Sequence, residues 1–65
     1  MKWISMKDEL PPIYVDVILC NKEKKVTIGY IDDFNEITDY YDEDLYNSNR
    51  SPDEYTHWMK MPSPP

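Results

Sequence analysis

Residues 13–31 read IYVDVILCNKEKKVTIGYI, and this stretch decides the fold. Residues 13–20 and 26–31 are rich in β-branched and aromatic side chains, which favour strands. The five residues between them, 21–25, are all polar, as expected of a turn between two strands. The stretch therefore predicts a β-hairpin over residues 13–31, with strands at 13–20 and 26–31.

The side chains of the first predicted strand divide between two faces, because successive residues of a strand point in opposite directions. Val15, Val17 and Leu19 share one apolar face, which indicates burial. The other face is mixed and consists of Tyr14, Asp16, Ile18 and Cys20. We therefore expect a sheet that is covered on one side and only partly covered on the other.

The single glycine of the chain, Gly29, lies inside the second predicted strand and not in a turn. A glycine inside a strand often marks a bulge or the close approach of another group. We interpret Gly29 as a point of close approach by an aromatic ring, with Trp58 and Trp3 as the candidate rings.

The segment before the hairpin, residues 5–10, is predicted to form a single helical turn. Ser5 is the expected N-cap, and Asp8 stands three residues later, as in a capping box. Pro11 and Pro12 end the turn, because the residue before a proline is kept out of the helical conformation.

Residues 32–49 contain seven acidic residues and no lysine or arginine. Phe34, Ile37 and Tyr41 have a helical spacing, whereas residues 37–40 fit an edge strand equally well. Most residue types in this segment are poor helix formers. We therefore favour a strand followed by an irregular acidic loop.

The remaining segments complete the predicted sheet. Residues 47–53 have the composition of a loop, and residues 55–61 read as the last strand. The sequence thus predicts a mainly β (or small α+β) fold, with one domain over residues 1–65. We expect a three- to four-stranded antiparallel sheet, one short N-terminal helical turn and the irregular acidic loop.

A chain of 65 residues has a small core, since a domain of this size buries only about 60% of its unfolded surface. Cys20 is the only cysteine, so no disulfide forms within the chain. Two Trp, six Tyr and one Phe offer dense aromatic packing instead. Self-association into a homo-oligomer is the other source of stability, and the sequence leaves it open.

Charge is unevenly distributed along the chain, whose net charge is −6. Residues 32–56 hold nine acids and one base, Arg50, and so carry −8. Such a surface repels phosphate backbones, and we expect no direct binding of nucleic acid. It suits a protein partner with a basic surface, although the default role of such charge is solubility.

We expect a cytoplasmic protein that does not bind membranes. No apolar run approaches the roughly 20 residues of a membrane span. Residues 1–8 also lack the apolar core of a signal peptide.

Several chemistries are excluded by residue type and spacing. Asp33 and Asn35 fit the first positions of a calcium-binding loop, but Ile37 stands at the third position and no glycine follows. Cys20 and His57 are the only nucleophile and base that suggest a catalytic pair, and no protease signature surrounds Cys20. We therefore expect no enzyme activity, no catalytic residue, no metal site and no cofactor.

His57 is the remaining candidate from the C-terminal strand. Alternation places Trp58 on one face, where it is expected to fill the core, and His57 and Met59 on the other. One interpretation is that His57 hydrogen bonds a loop carboxylate. The alternative is that His57 lies beside tyrosines in a patch that stacks a planar ligand.

Both ends of the chain carry a family resemblance. WISMKDELPP at residues 3–12 and THWMKMPSPP at residues 56–65 resemble the opening and closing motifs of the domain of unknown function 551 family, whose members are small phage and prophage proteins. The VTIGY of residues 26–30 resembles that family's second strand. The matching end residues are Trp3, Ile4, Ser5, Lys7, Asp8, Leu10, Pro11, His57, Trp58, Met59, Pro62, Pro64 and Pro65.

Two departures from the family pattern affect expectations for the strands. Ile13 and Tyr14 stand where many members have an acidic residue and a glycine, so the entry to the first strand is expected to differ. Lys60 replaces a frequent proline, which leaves an N–H group for one further strand hydrogen bond. The family carries no established activity, so the resemblance implies a phage-type accessory protein of a bacterial host and transfers no catalytic residue.

Two functional hypotheses follow. The first is a non-enzymatic binding module that binds or inhibits a host protein with a basic surface through its acidic face. The alternative is an oligomeric sponge that binds a nucleotide-like signalling molecule in anti-defence, because aromatic rings stack on bases. The candidate binding residues are His57, Tyr40, Tyr41, Asp42, Glu43, Asp44, Tyr46 and Arg50.

Overall fold

A computed structural model of the chain describes residues 2–41 and 49–62, which form a single antiparallel sheet of six strands. The strands are β1 (Ile4–Ser5), β2 (Val17–Asn21), β3 (Val26–Ile31), β4 (Ile37–Asp39), β5 (Asn49–Arg50) and β6 (Tyr55–Lys60), with a 3-10 helix at Pro52–Glu54. Their order across the sheet is β1-β6-β2-β3-β4-β5. The mainly β, antiparallel prediction is confirmed, whereas the expected strand number was too low. No helix among the described residues is long and apolar enough to cross a membrane.

The predicted hairpin is present as β2 and β3, paired from Val17 opposite Gly29 to Cys20 opposite Val26. Asn21 ends β2 and holds the turn, since its Oδ1 accepts hydrogen bonds from two backbone amides of the turn at 2.9 and 3.0 Å. The polar turn is therefore one residue shorter than predicted. Its position between the two apolar runs is confirmed.

The first strand begins four residues later than predicted, because Tyr14 interrupts the extended chain. Its φ angle is 57°, in the left-handed region that residues other than glycine rarely adopt. Ile13 forms only an isolated parallel bridge with Ile31. The family resemblance had led us to expect a different entry to the strand at Ile13 and Tyr14, and the chain is distorted at Tyr14.

The last strand, predicted at residues 55–61, is present as β6, but it lies in the interior of the sheet between β1 and β2. Its pairing with β2 shifts between Cys20 opposite His57 and Asn21 opposite Tyr55, so Thr56 is an extra residue on β6. The bulge brings Tyr55 and Trp58 to the same face, although strict alternation would separate two residues that are three apart.

The strand predicted at residues 37–40 is present as β4, but it is not at the edge of the sheet. Ile37 pairs with Arg50 and Thr38 with Asn49, so β5 forms the edge beyond it. The sequence had indicated a loop at residues 47–53, because Asn, Ser and Asp dominate there. A two-residue strand of such composition forms because the neighbouring strand supplies its hydrogen-bond partners.

The N-terminal segment contains both a strand that was not predicted and the turn that was. Ile4 lies opposite Trp58, so β1 joins the two ends of the chain. After β1, the amides of Asp8 and Glu9 donate to the Ser5 carbonyl oxygen at 3.0 and 3.1 Å, which closes one turn. The Ser5 Oγ accepts from the Lys7 amide at 3.2 Å, one residue earlier than the capping-box prediction placed it.

One face of the sheet carries the core, and we call the opposite face the outer face. The buried core side chains are those of Val17, Leu19, Ile31, Ile37, Tyr55 and Trp58, with Ile4 and Met6 packed against them. Trp58 is 2% exposed, as predicted, and its indole Nε1 donates to the Glu9 carbonyl oxygen at 2.8 Å. Trp3 is 40% exposed and is not a core residue.

Gly29 is a point of close approach, but the approaching group is not an aromatic ring. A Cβ atom at this position would overlap the carbonyl oxygen of Thr38 on β4 and lie 3.1 Å from the Cδ1 of Leu19. The need for glycine therefore comes from the backbone of the neighbouring strand. The prediction that Trp58 or Trp3 approaches this residue was wrong.

Trp58→Ala is expected to lower the free energy of unfolding by about 3–5 kcal/mol, because it removes a buried ring and leaves a cavity. Urea denaturation followed by circular dichroism measures the change. Trp3→Ala is the matched control and should cost much less, since Trp3 is 40% exposed. Equal destabilisation by the two changes would contradict the assignment of Trp58 as the core tryptophan.

Candidate functional site

Three tyrosine rings form a row on the outer face, and we call Tyr14, Tyr30 and Tyr40 the tyrosine stripe. The ring centroids of Tyr14 and Tyr30 are 6.1 Å apart, and those of Tyr30 and Tyr40 are 6.0 Å apart. The planes are tilted by 37° and 54°, within the range of favourable aromatic pairs. Tyr14 is 61% exposed and Tyr40 is 53% exposed, so ring surface is available to a ligand.

A carboxylate accepts the hydroxyl proton at each end of the tyrosine stripe. Tyr14 donates to the Asp33 Oδ1 at 2.8 Å, and Tyr40 donates to the Asp16 Oδ1 at 2.7 Å. These hydrogen bonds are the main cause that raises the pKa of both tyrosines above the usual value. Each phenol is therefore favoured in the protonated form that donates the hydrogen bond.

The turn between β3 and β4 adds further acidic and aromatic groups beside the stripe. The Asp32 Oδ1 accepts from the amides of Phe34 and Glu36 at 2.9 and 3.0 Å, which fixes the turn. Phe34, in the middle of this turn, is 79% exposed. The β3–β4 end of the sheet thus combines exposed aromatic rings with acidic side chains.

A concave site with a volume of about 540 Å³ lies at the opposite end of β3. Among the described residues, it is lined by Asn21, Lys22, Glu23, Lys25, Thr27, Asp39, Tyr41, Arg50, Glu54 and Tyr55. The volume is within the usual range for small-ligand sites, about 300–1,000 Å³. Since β3 has six residues, the two turns that flank it lie about 20 Å apart.

Polar groups inside the concave site are arranged in pairs. Tyr55 donates its hydroxyl proton to the Asp39 Oδ2 at 2.9 Å, and the Arg50 guanidinium lies 3.5 Å from the Glu54 carboxylate. Burial is the first cause that raises the pKa of Tyr55, and the bond to Asp39 is the second. The Thr27 Oγ1 is buried without a hydrogen-bond partner among the described residues.

The structure divides the sequence-predicted binding residues between different places. Tyr40 belongs to the tyrosine stripe, whereas Tyr41 and Arg50 line the concave site. His57 is exposed, and its Nδ1 lies 3.0 Å from the Oγ1 of Thr56. The predicted residues Asp42, Glu43, Asp44 and Tyr46 lie outside the described residues.

Both interpretations of His57 involve the acidic loop or the tyrosines, of which residues 42–44 and Tyr46 lie outside the described part of the chain. Within residues 2–41 and 49–62, the partner of the His57 Nδ1 is the Thr56 hydroxyl. The two strands β2 and β3 separate its strand from Tyr40, so His57 is not part of the tyrosine stripe. Cys20 stands directly opposite His57 in the strand register, but the Cys20 Sγ donates to the Asn21 carbonyl oxygen at 3.7 Å.

Sequence reasoning missed the residues that complete each site. Tyr14 and Asp16 had been placed together on the mixed face of the first strand, which was a usable signal. Tyr30 alternates onto the same outer face from β3. No local pattern indicated that Asp33 meets Tyr14, or that Lys22 and Lys25 line the same concave site as Arg50. Those contacts depend on how the strands pair.

Comparison with known proteins identifies one family. The family described as "Protein of unknown function (DUF551)" matches residues 2–65 of the chain. No curated protein and no solved structure shows significant similarity to this chain. Across residues 2–41 and 49–62, no group of three or more His, Cys, Asp or Glu side chains is arranged to hold a metal ion.

Tyr55→Phe is expected to cost about 1 kcal/mol at pH 8, because Asp39 loses a hydrogen-bond donor. The stabilisation that accompanies the raised pKa of Tyr55 is fully present below the ordinary tyrosine pKa of 10.0 and is lost progressively as the pH rises above it. Above pH 10 the unfolded chain releases this proton and the fold holds it. The stability advantage of the wild type over Tyr55→Phe should therefore fall by about 1.4 kcal/mol by pH 11, so that Tyr55→Phe becomes slightly the more stable protein there.

Urea denaturation at pH 8 and pH 11, followed by tryptophan fluorescence, measures this difference. Val26→Ala is the control, because it removes an exposed side chain that does not titrate. A stability difference for Tyr55→Phe that stays constant between the two pH values would contradict the prediction.

Proposed function

The chain belongs to the DUF551 family, and we propose that it is a binding module without enzyme activity that binds a protein partner with a basic surface. The observation that carries this proposal is the combination of exposed rings and carboxylates at the β3–β4 end of the sheet. We further propose a phage or prophage origin, a bacterial host protein as the partner, inhibition of that partner, and a cytoplasmic location.

The exposed rings support a protein-binding role. Phe34, Tyr14 and Tyr40 are 79%, 61% and 53% exposed; Phe34 lies on the β3–β4 turn, and Tyr14 and Tyr40 are joined through the ring of Tyr30. Aromatic residues are enriched among the residues that dominate binding energy at protein interfaces. Scattered single exposures are normal on a surface, but a group of contiguous rings marks an interaction site.

The negative charges beside the rings indicate that the partner surface is positively charged. Asp16 and Asp33 are exposed and bonded to the stripe, and Glu36 is exposed on the adjoining turn. By sequence, residues 42–44 contribute three more acids, which are included in the net charge of −6. Carboxylates of this density attract a basic surface over a Debye length of roughly 8–10 Å and increase the rate of association with it.

The proposal that the chain is not an enzyme rests on Cys20 and His57. The strand register places Cys20 opposite His57 on one side and Ser5 opposite it on the other, and the Ser5 Oγ accepts from the Lys7 amide. The Cys20 Sγ hydrogen bonds a backbone carbonyl, and the His57 Nδ1 lies next to Thr56. A histidine oriented as the base would instead hydrogen bond the nucleophile and be held by a third group.

The test is retention of a protein from a bacterial lysate on the immobilised chain at low salt. We expect one dominant protein, released as the salt concentration rises, and Glu36→Lys should strongly reduce its retention. Glu23→Lys is the matched control, since it makes the same charge change on the β2–β3 turn and should have little effect. No retained protein, or equal loss with both variants, would contradict the proposal.

A second candidate function is supported by the concave site. Lys22, Lys25 and Arg50, which are far apart in the sequence, line it together with Tyr41. This grouping supplies cations for phosphate oxygens and a ring for a base, as binding of a nucleotide-like signalling molecule requires. The corresponding proposal is an oligomeric sponge that sequesters this ligand.

Thermal unfolding in the presence of a nucleotide panel tests the second candidate. A ligand present at 100 times its Kd should stabilise the fold by about 2.7 kcal/mol. Lys25→Gln should remove this stabilisation, whereas Lys24→Gln should not, because Lys24 is in the same turn but does not line the site. An unchanged Tm with every nucleotide would exclude the sponge.

A further inference from the structure

We propose that the tyrosine stripe, together with Asp16 and Asp33, is a recognition site for the guanidinium group of an arginine on the protein partner. This inference rests on the proposed function and names the side chain that the acidic end of the sheet binds. It places the contact on Tyr14, Tyr30 and Tyr40, of which only Tyr40 was indicated by the sequence.

The ring row provides the surface on which a cation is held. The face of a tyrosine ring carries negative charge density, and a cation within about 6 Å of the ring centroid is attracted to it. Neighbouring centroids in the stripe are 6.1 and 6.0 Å apart, so a cation over one ring is also close to the next. The 61% exposure of Tyr14 and the 53% exposure of Tyr40 leave room for the ligand.

The two carboxylates provide the acceptors. Each uses its Oδ1 to accept a tyrosine hydroxyl proton. Within residues 2–41 and 49–62, the Oδ2 atoms of Asp16 and Asp33 accept no hydrogen bond. A guanidinium stacked on a ring can therefore donate to a carboxylate oxygen at either end of the stripe. A stacked group that also makes a charge-assisted hydrogen bond is bound more tightly than by either contact alone.

The geometry favours arginine over other occupants. A guanidinium is planar, stacks on aromatic faces and donates in a rigid fork, whereas the ammonium of lysine is a strongly hydrated point charge. A nucleotide would bring its phosphates next to Asp16, Asp32, Asp33 and Glu36. A second copy of this chain would bring another net charge of −6 to the same place.

Tyr14 is held in place before any ligand binds. Its backbone amide donates to the Ile31 carbonyl oxygen at 2.8 Å, and its hydroxyl is bonded to Asp33. Its φ angle of 57° is costly for a tyrosine, and such conformations persist only where the surrounding structure enforces them. A ring fixed at both ends loses little conformational freedom on binding, which favours affinity.

The experiment titrates the full chain with three capped hexapeptides, made of arginine, lysine or the neutral isostere citrulline, at about 0.15 M salt. Aromatic NMR resonances of the three tyrosines report the contact. We expect them to shift with the arginine peptide, to shift less with the lysine peptide and to stay unchanged with the citrulline peptide. Equal binding of the citrulline peptide would overturn the inference, because stacking alone would then explain it.

Ring variants test the stripe itself. Tyr40→Leu should raise the Kd of the arginine peptide about two- to fivefold, the range of an exposed cation–π contact. Tyr40→Phe keeps the ring and should raise the Kd less. Tyr41→Leu is the matched control, since Tyr41 is 68% exposed and outside the stripe, and it should leave the Kd unchanged. Equal effects of Tyr40→Leu and Tyr41→Leu would overturn the inference.

Carboxylate variants separate this inference from the proposed function. Asp16→Asn should weaken binding of the arginine peptide more than Asp8→Asn, which makes the same charge change away from the stripe. If both weaken it equally, general attraction explains the binding, and the stripe inference falls while the proposed function stands. If no peptide binds but Glu36→Lys still abolishes retention of the lysate protein, the stripe inference also falls and the proposed function also stands. A dimer of the peptide-free chain that Tyr40→Leu dissociates would also overturn the inference, because a second copy would then occupy the stripe.

Discussion

Trp58 on β6 stands opposite Leu19 on β2 and opposite Ile4 on β1, and its side chain is 2% exposed. These two pairings bring together the N-terminal strand, the central hairpin and the C-terminal strand, which are far apart in the sequence. The indole Nε1 also bonds the Glu9 carbonyl oxygen and fixes the segment that follows β1. In a chain of 65 residues with one cysteine, a buried tryptophan at this junction replaces the covalent links that many small domains use.

The bulge at Thr56 connects the core around Trp58 with the concave site. Because it adds one residue to β6, Tyr55 faces the core side along with Trp58 and reaches Asp39 on β4. The Asp39 carboxylate accepts from the Tyr55 hydroxyl with one oxygen and from the Tyr41 amide with the other. A bond between β6 and β4 spans the two strands that lie between them and supports the concave site.

Much of the fold could be predicted because the signals are local. The alternation around residues 17–31 and the polar turn within it identified the hairpin, and the run at residues 55–61 identified β6 and the burial of Trp58. The edge strands β1 and β5 could not be predicted, since two residues such as Asn49–Arg50 have no strand pattern of their own. The neighbour of Gly29 was also beyond reach, because the atom that excludes a side chain is the carbonyl oxygen of Thr38 on another strand.

The candidate site also has features that the sequence determined and features that only the tertiary structure decided. The sequence by itself determined the chemistry available: a net charge of −6, many tyrosines, and few groups suited to catalysis. Only the tertiary structure decided which of these groups meet. It placed Asp33 on the hydroxyl of Tyr14, which is 19 residues away, and Asp16 on that of Tyr40, which is 24 residues away. The physical reason is that strand register sets these distances, and register follows from the burial of one face of the sheet. The polar groups of the other face take the positions that this register gives them.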